Sequence, residues 1–369
     1  MSTSQPPCLV GYALNSKKLR PSEGKHDFVV AARPPAANWC GGGLADILDA
    51  NSDGSGGVKF QLWDPAVPVA QQPKFHIIVH KLTEDLGGGG GSVDKSSASK
   101  IALLKEYLLA NPSTKIVDPI ESVRNVVSRE LTCRALDRTL GAQQPKYFIH
   151  RHCASGANSV EFLASMREHG LDFPLICKPV SACGTPASHQ MTVVVALSGL
   201  EQVLTRRAAP DAGYLVQQFH NHDSIFYKVY VIDRDVMVFK RRSLPNLSPD
   251  NRASARSVEF DSRFPYPTID DFLHVPPDPT SPTPVRLTAK GGSTSLQLAP
   301  DTVQFQNFRD LASAIRAEFV LTLFGFDVII PTEHPDQLLV VDVNFFPSYK
   351  EVPDFPQRFV DYLRRKGLE

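Results

Sequence analysis

Acidic and amide side chains interrupt two apolar segments near the end of the chain. Asp342 and Asn344 occupy alternate positions of VVDVN, and Asp327 lies fifteen residues earlier in FGFDVII. Residues two apart in a strand share one face, and a hairpin through residues 331–337 would set Asp327 opposite Asp342. Oxygen ligands placed this way suit Mg²⁺, which takes one or two carboxylates together with waters and phosphate oxygens. The same short pattern also fits a strand end at which an aspartate caps a turn.

Lys178 is a single charge at the end of the apolar segment FPLICKPV. A lysine is costly to bury without an anion, and its compact ammonium group suits nucleotide phosphates. The small-residue loop that follows, ACGTPASH, ends in His189 and could bring backbone N–H groups close to phosphate oxygens. An edge-strand lysine that reaches water, followed by an ordinary turn, fits the same sequence.

Further polar positions follow in the next two apolar segments. The end of YLVQQF could offer the backbone of residues 217–219 to an adenine ring, as the edge of a strand would. Lys228 is again a lone charge among apolar residues, and the basic run 240–242 is followed by Ser243. Solvated hairpin tips would also have this composition.

Arg124 and the histidines are weaker candidates. Arg124 lies one to two turns after Asp118-Pro119, which would open a helix whose N-terminus attracts anions. The two H-x-H pairs, at 150–152 and 220–222, would each place two imidazoles on one strand face. No third ligand follows at regular spacing, which favours structural or solvent-facing roles over a metal site.

Composition excludes several classes of protein. The 369 residues include 39 Lys and Arg against 39 Asp and Glu, so binding of nucleic acid or membrane through bulk charge is not expected. The six cysteines show no CxxC pair, residues 1–7 lack the apolar core of a signal peptide, and no apolar run is long enough to span a membrane. Patterns GxSxG, HExxH and GxxxxGK[ST] are absent. The expectation is a reduced, intracellular, soluble protein.

Alternating strand and helix signals must position these residues. Strands are predicted at residues 8–14, 75–80, 146–150, 174–179, 191–196, 214–219, 226–232, 236–240, 326–330 and 338–343. Helices are predicted at residues 44–50, 100–110, 119–140, 308–323 and 354–366. Loops rich in Gly, Ser or Pro are predicted at 36–57, 87–99 and 265–300, the last as a disordered insertion with no helix. The fold class is therefore α/β (α+β).

Taken in order, a series of motifs resembles the inositol 1,3,4-trisphosphate 5/6-kinase family, also called inositol-tetrakisphosphate 1-kinase, which has an ATP-grasp fold. The motifs are VGYALNSKK, HKLT, DPIESVRNVVSRE, FPLICKPV, GT with SHQM, YLVQQFHNHDSIFYKVYV, KRRSLPN, FGFDVII and VVDVNFFPSYKEV. They extend from residue 10 to about residue 353 and leave out the three loop regions.

This resemblance implies a site for ATP, two Mg²⁺ ions and an inositol polyphosphate. For catalysis it implicates Lys178, Lys228 and Asp327. For the metal it implicates Asp327, Asp342 and Asn344. For ATP it implicates Arg124, Lys178, Gln217, Gln218, Phe219, Arg241 and Ser243. For the inositol phosphate it implicates Lys18, Lys81, Arg124, His189, Lys228, Asn344, Ser348 and Lys350.

The family also suggests a division of the chain into three parts. These are an N-terminal α/β domain at residues 1–121 on the inositol-phosphate side, a central ATP-grasp subdomain at 122–219, and a C-terminal ATP-grasp subdomain at 220–369. ATP would lie between the last two, and the metal site would belong to the last. A monomer in the cytoplasm, and also in the nucleus, is expected.

Two positions depart from the family's pattern. Cys183 stands where many members have a histidine, and one extra residue separates Thr185 from His189. Ser348 stands where the family usually has glycine, with Lys350 close behind it. A side chain at 348 would narrow the pocket, so the hypothesis is an altered choice of inositol phosphate.

Two other functions remain open on the sequence alone. An ATP-grasp carboxylate–amine ligase would share the fold, although the clustered cations favour a polyphosphate over a carboxylate substrate. A non-catalytic inositol-polyphosphate sensor would need neither Mg²⁺ nor ATP ligands. The presence of Lys178, Asp327, Asp342 and Asn344 therefore counts against it.

Overall fold

The structure is a computed structural model that describes residues 7–14, 57–86, 95–141, 144–151, 159–205, 213–252, 254–273 and 295–369. Strands in these ranges are β1 Cys8–Leu14, β2 Val58–Leu62, β3 Ile77–Lys81, β4 Lys115–Val117, β5 Tyr147–His150, β6 Leu175–Pro179, β7 Gln190–Val194, β8 Tyr214–Gln218, β9 Ile225–Ile232, β10 Asp235–Arg242, β11 Val258–Asp261, β12 Leu296–Gln297, β13 Leu323–Ile329 and β14 Leu339–Phe345. Helices are α1 Thr83–Leu86, α2 Lys95–Ala110, α3 Ile120–Val126, α4 Arg129–Leu140, α5 Ser159–Glu168, α6 Leu197–Thr205, α7 Pro249–Arg252, α8 Ile269–Leu273, α9 Val303–Phe319 and α10 Phe355–Leu368.

Three sheets organise the described residues. The first is parallel, in the order β2-β1-β3-β4, and its central strands β1 and β3 are largely buried, as expected of a parallel sheet. The second is antiparallel, in the order β11-β7-β6-β8-β5, and the third is antiparallel, in the order β12-β10-β9-β13-β14. One apolar core joins the first and third sheets, and within the described ranges no helix is long and apolar enough to cross a membrane.

The predicted hairpin between the two acid-bearing strands is confirmed. Strands β13 and β14 pair antiparallel with Asp327 directly opposite Asp342, and the register shifts just after Asp327. The predicted domain boundaries stay a prediction. Strand β11 pairs with β7 in the second sheet, although its sequence lies within the predicted C-terminal part.

The helix predicted at residues 119–140 is interrupted. Instead of a single helix at 119–140, the chain forms α3 and α4, separated at Val127 and Ser128. Ser128 is extended, and its hydroxyl accepts a hydrogen bond from the Leu131 N–H at 3.4 Å, as a helix N-cap does. Ser128 also forms an isolated bridge with Ser181, so a distant segment stabilises the break.

Two predicted loops contain regular structure. Residues 95–99 belong to α2, and residues 269–273 form α8 inside the segment that was expected to exclude helices. The Phe272 side chain in α8 is fully buried in an apolar cluster with Phe260, which gives the short helix its packing. The predicted helix at 44–50 and the rest of the loop at 36–56 lie outside the described residues.

Other elements were not predicted at all. Helices α5 and α6 and the short strands β2, β4 and β11 carry too weak or too brief an apolar period to be recognised. Helix α9 begins five residues earlier than predicted, because the Thr302 hydroxyl accepts from the Phe305 N–H at 3.2 Å.

Asp118 fastens the first sheet to the third. Its carboxylate accepts hydrogen bonds from the Thr322 N–H at 2.8 Å, the Leu323 N–H at 2.9 Å and the Thr322 hydroxyl. The Asp118 carbonyl oxygen lies 2.7 Å from Nε2 of the buried His80. Burial raises the pKa of Asp118, and the hydrogen bonds from Leu323 and Thr322 oppose that shift.

Replacing Asp118 by alanine is expected to lower the free energy of unfolding by about 3 kcal/mol, because backbone N–H groups at the start of β13 lose their acceptor. Urea denaturation followed by circular dichroism measures this difference. The control is Asp301→Ala, at an exposed position, with an expected change within about 0.5 kcal/mol. Equal unfolding midpoints for the two variants would contradict the role given to Asp118.

Candidate active site

A cavity of about 420 Å³ is lined by residues of the second and third sheets. Many residues implicated by the sequence meet there: Lys178, His189, Gln217, Gln218, Phe219, Lys228, Ser243, Asp327, Asp342, Asn344 and Ser348. They come from strands and adjoining loops far apart in the chain, and the sheet topology brings them together.

The carboxylates lie on the wall formed by the third sheet. Asp327 is opposite both Asp342 on β14 and Lys228 on β9, and the Lys228 Nζ lies 2.7 Å from the Asp327 Oδ1. Burial raises the pKa of Asp327, the Lys228 ammonium lowers it, and the neighbouring Asp342 raises it further. The Asn344 amide nitrogen donates to Asp342 Oδ2 at 3.2 Å. The pair of acids is thus held in the sheet with one cation as a direct partner.

This donor set fits a hard cation that keeps some non-protein ligands. No three His, Cys, Asp or Glu side chains cluster closely enough to hold a metal ion anywhere in the described ranges. Mg²⁺ commonly takes one or two protein carboxylates and fills its other positions with water and phosphate oxygens. Asn344 directs its amide nitrogen to Asp342, so its oxygen would reach a shared cation only after the carboxamide turns.

Lys178 is buried on the opposite wall, with 5% of its surface exposed. Its ammonium donates to the Gln217 side-chain oxygen at 2.7 Å and to the Val341 carbonyl at 3.0 Å. Both partners are neutral, and burial lowers the pKa of Lys178 to about 8, against the influence of Asp342. A buried ammonium without a carboxylate partner has an unmet preference for an anion.

The predicted strand edge at residues 217–219 is wrong. Strand β8 lies between β6 and β5, and its neighbours occupy both of its sides. The N–H groups of Gln218 and Phe219 already donate, to the Lys146 and Pro174 carbonyls at 2.9 and 3.2 Å. An adenine ring would therefore find these backbone donors occupied, and a role for the segment in binding adenine stays a prediction.

His222 is held by two hydrogen bonds; the structural or solvent-facing role expected of the histidines stays a prediction. His222 is buried, its Nε2 lies 2.7 Å from the Ser243 hydroxyl, and its Nδ1 lies 2.6 Å from the His220 carbonyl. Burial lowers the pKa of His222 and favours the neutral ring, although the hydrogen bond to the His220 carbonyl opposes that shift. Both histidines nevertheless line the cavity, and so His222 orients Ser243 there.

His189 ends a short 3-10 turn, Pro186–His189, in the loop after Lys178. Its carbonyl accepts from the Ser262 N–H at 3.0 Å, which joins the loop to the end of β11. Burial lowers the pKa of His189, and the cations Arg263 and Arg129 lower it further. Cys183, the departure in this loop, points elsewhere: its thiol donates to the Thr83 carbonyl at 3.4 Å.

Four of the predicted binding residues do not line this cavity, and Lys18 lies outside the described residues. Lys81 lies 5.4 Å from the centre of the Phe346 ring, Arg124 pairs with Glu121 at 3.2 Å, and Lys350 is exposed. Arg241 is held by Glu351, whose Oε1 accepts from its Nε at 2.9 Å and its Nη2 at 2.6 Å. Their roles in binding stay predictions.

Other residues that line the cavity were not predicted from the sequence. The aromatic residues Phe226, Phe260 and Tyr266 line it together, with Tyr266 between the other two at ring-centre distances of 5.8 and 5.5 Å. Tyr266 lies in the Pro-rich segment 265–300, whose composition predicted a disordered insertion and not a part of the site. Arg129 lines the cavity too, and an arginine just after a capping serine was the available signal.

Comparison with known proteins identifies related sequences over most of the chain. The inositol 1,3,4-trisphosphate 5/6-kinase ATP-grasp domain matches residues 152–273 and 285–365, and the pre-ATP-grasp domain of the same kinases matches residues 51–123. Inositol-tetrakisphosphate 1-kinase 5 of Oryza sativa subsp. japonica is 30% identical over 366 residues, 96% of this chain and 89% of that protein. The inositol-tetrakisphosphate 1-kinase of Danio rerio is 26% identical over 306 residues, 81% of this chain and 69% of that protein.

Solved structures share the fold at low identity. A D-alanine–D-alanine ligase from Bacillus anthracis, complexed with ATP, superposes with a TM-score of 0.54 at 10% identity, covering 99% of this chain and 98% of that one. A RimK domain ATP-grasp protein from Sphaerobacter thermophilus gives 0.51 at 13% identity, covering 98% and 100%. The fold is thus ATP-grasp, of mixed α/β class, and the chain belongs to the inositol 1,3,4-trisphosphate 5/6-kinase family.

Proposed function

We propose that this protein is an inositol polyphosphate kinase that transfers the γ-phosphoryl group of ATP to a hydroxyl of an inositol tris- or tetrakisphosphate. The 1,3,4-trisphosphate 5/6-kinase and 3,4,5,6-tetrakisphosphate 1-kinase reactions are the ones meant. One observation carries the proposal. A single cavity has the buried Lys178, whose ammonium is hydrogen-bonded to neutral groups, on one wall and the Asp327–Asp342 pair on the other. The relatives' names support the choice of substrate.

Mg²⁺ is the cation that suits the carboxylate wall. Asp327, Asp342 and Asn344 would hold it, and two ions per site are proposed from the family resemblance. When bound, Mg²⁺ neutralises charge on the phosphates between which the group moves. Two contacts support this choice: Lys228 pairs with one acid, Asp327, and the hydrogen bond to the side chain of the other, Asp342, comes from the neutral Asn344 amide.

The other residues position the reactants and exclude water. Lys178 would bind a phosphate of ATP as a point charge, and Lys228 would attract a phosphate from the carboxylate side of the cavity. Phe226, Phe260 and Tyr266 offer an apolar surface for a flat ring. Phosphoryl transfer needs positioning and charge neutralisation rather than a protein nucleophile, and the cavity provides groups for both.

The substrate must be strongly anionic to suit the buried cations. Each phosphate monoester carries about −1.5 to −2 charges at neutral pH, so an inositol tetrakisphosphate brings a large negative charge to a protein of zero formal net charge. A carboxylate–amine ligase has weaker support, because the resemblance to ligase structures lies at 10–13% identity and extends to the fold alone. A pure sensor would have no use for the paired acids. The expected monomeric state and cytoplasmic location stay predictions.

Incubation with ATP, Mg²⁺ and a panel of inositol tris-, tetrakis-, pentakis- and hexakisphosphates is expected to give a more highly phosphorylated product, resolved by anion-exchange chromatography. Asp342→Asn should lower its rate about 100-fold or more, since an ionised cation ligand is lost. The matched control is Asp336→Asn in the exposed hairpin turn, with an unchanged rate. Full activity of the Asp342→Asn variant would refute the proposal. So would ADP release that occurs with amino acids or peptides as substrates but with none of the inositol phosphates.

Nucleotide affinity is expected to fall as pH rises through about 8, because Lys178 loses its proton there. The sign follows from a pKa below the ordinary value: the ammonium is charged below pH 8 and neutral above it. Calorimetric titration with a non-hydrolysable ATP analogue from pH 6.5 to 9.5 measures the effect. The Lys178→Met variant should bind the ATP analogue weakly at every pH, and its affinity should no longer fall near pH 8. If the affinity of this variant still fell near pH 8, the fall would belong to another titrating group.

Ser348→Gly is expected to change which inositol phosphates are used, because Ser348 lines the cavity and glycine removes its side chain. Relative kcat/KM across the same panel measures the change, with Lys350→Ala in parallel as an exposed neighbour outside the cavity lining. Identical substrate preferences for the wild type and Ser348→Gly would show that Ser348 does not set the choice.

A further inference from the structure

Strand β14, which carries Asp342, has an irregular and open edge. It is the last strand in the order of the third sheet, so β13 pairs with it on one side and no described strand pairs with it on the other. The register passes from the pair Asp327–Asp342 to the pair Val328–Val340, which leaves Val341 without a partner on β13. Such an extra residue is a β-bulge, which bends a strand and re-aims a side chain.

Two side chains from outside the third sheet bind this strand at successive residues. The Val340 N–H donates to Gln144 Oε1 at 3.0 Å, and the Val341 carbonyl accepts from the Lys178 ammonium at 3.0 Å. Gln144 Nε2 also lies 3.5 Å from the Leu338 carbonyl, a longer and weaker contact. The Gln144 carboxamide thus offers β14 an acceptor and a donor, as a peptide group of a neighbouring strand would.

The backbone beside Gln144 is held by the second sheet. Gln144 lies between α4 and β5 and immediately precedes Pro145, and a residue before proline is largely restricted to extended conformations. Two residues further on, the Lys146 carbonyl accepts from the Gln218 N–H of β8 at 2.9 Å. Lys178 lies on β6, which pairs with the other side of β8. Gln144 and Lys178 therefore reach β14 from one common framework.

These contacts set the separation of the two walls of the cavity. Asp342 follows Val341 directly, so the place of its carboxylate depends on where the bulge is held. Asp342 is already close enough to Lys178 to raise the pKa of that ammonium against the effect of burial. A nucleotide held by Lys178 and a cation held by Asp342 meet correctly only at the right separation, and a misplacement of about 1 Å can cost on the order of 100-fold in rate.

We propose that Gln144 is a positioning residue, whose carboxamide holds the bulged edge of β14 so that Asp342 faces the phosphates bound by Lys178. The inference rests on the proposed function for the identity of the nucleotide and the cation. Gln144 is not among the residues that line the cavity, and it acts through the Val340 N–H. The connection between α4 and β5 thereby takes part in the coupling of Mg²⁺ to nucleotide.

The test measures how much Mg²⁺ improves nucleotide binding, by calorimetric titration of a non-hydrolysable ATP analogue with and without the ion. Gln144→Met keeps the length of the side chain and removes the carboxamide. The ratio of the Kd without Mg²⁺ to the Kd with Mg²⁺ should fall at least fivefold in this variant, while the Kd without Mg²⁺ stays within twofold of wild type, because Lys178 is intact. Gln144→Glu keeps an acceptor for the Val340 N–H and should retain a ratio within twofold of wild type.

Gln297→Met is the matched control, because Gln297 is exposed on β12, at the opposite edge of the same sheet, and its ratio should be that of wild type. Should Gln144→Met not fold, Gln144→Asn, which draws the carboxamide back by one methylene, gives the same comparison.

A wild-type ratio in Gln144→Met would overturn the proposal, even if the variant unfolded at a lower temperature. An equal loss of affinity with and without Mg²⁺ would also overturn it, since Gln144 would then be a general scaffold residue. So would a wild-type Kd that Mg²⁺ does not change. A wild type that binds nucleotide more tightly with Mg²⁺ but phosphorylates no inositol phosphate would refute the kinase function and leave this test intact.

Discussion

The register of three antiparallel strands is the constraint on which the site depends. Asp327 on β13 faces Lys228 on β9 and Asp342 on β14, so one transverse row of the third sheet carries two acids and a cation. A slip of one residue would turn each of these side chains to the opposite face, among the apolar residues of the core. The apolar neighbours Phe326 and Val328, both fully buried, resist that slip, because their own burial would be lost with it.

The charged residues of the cavity come from two sides, and the third sheet contributes both its acids and the cation Lys228. Lys178 and Arg129 border the cavity from the side of the second sheet, and Asp327 and Asp342 border it from the third. The Val341 carbonyl accepts from Lys178 at 3.0 Å, which joins the second sheet directly to the third. A formal net charge of zero is therefore compatible with a local cluster of acids and cations around one cavity, which only the folded chain reveals.

Local patterns in the sequence were sufficient where an element carries its own signal. The apolar runs of β1, β9, β13 and β14 marked strands, and the isolated acids inside two of them marked the carboxylate wall. Features that depend on distant partners could not be read in this way. The interior position of β8 follows from sheet order, the break at Ser128 from its bridge to Ser181, and the placement of Arg241 from Glu351, 110 residues along the chain.

The contact of Glu351 with the third sheet has a consequence for how a ligand meets this wall. Glu351 binds Arg241 on β10 and accepts from the Tyr230 hydroxyl on β9 at 3.0 Å, while the buried Tyr349 donates to the Val231 carbonyl at 2.7 Å. The loop that carries Ser348 is thus held against two strands, β9 and β10, before any ligand arrives. The loop therefore loses its conformational entropy during folding and not during binding. This side of the cavity selects ligands by a shape that is already formed. Any adaptation to a different ligand would then come from the loops of the second sheet.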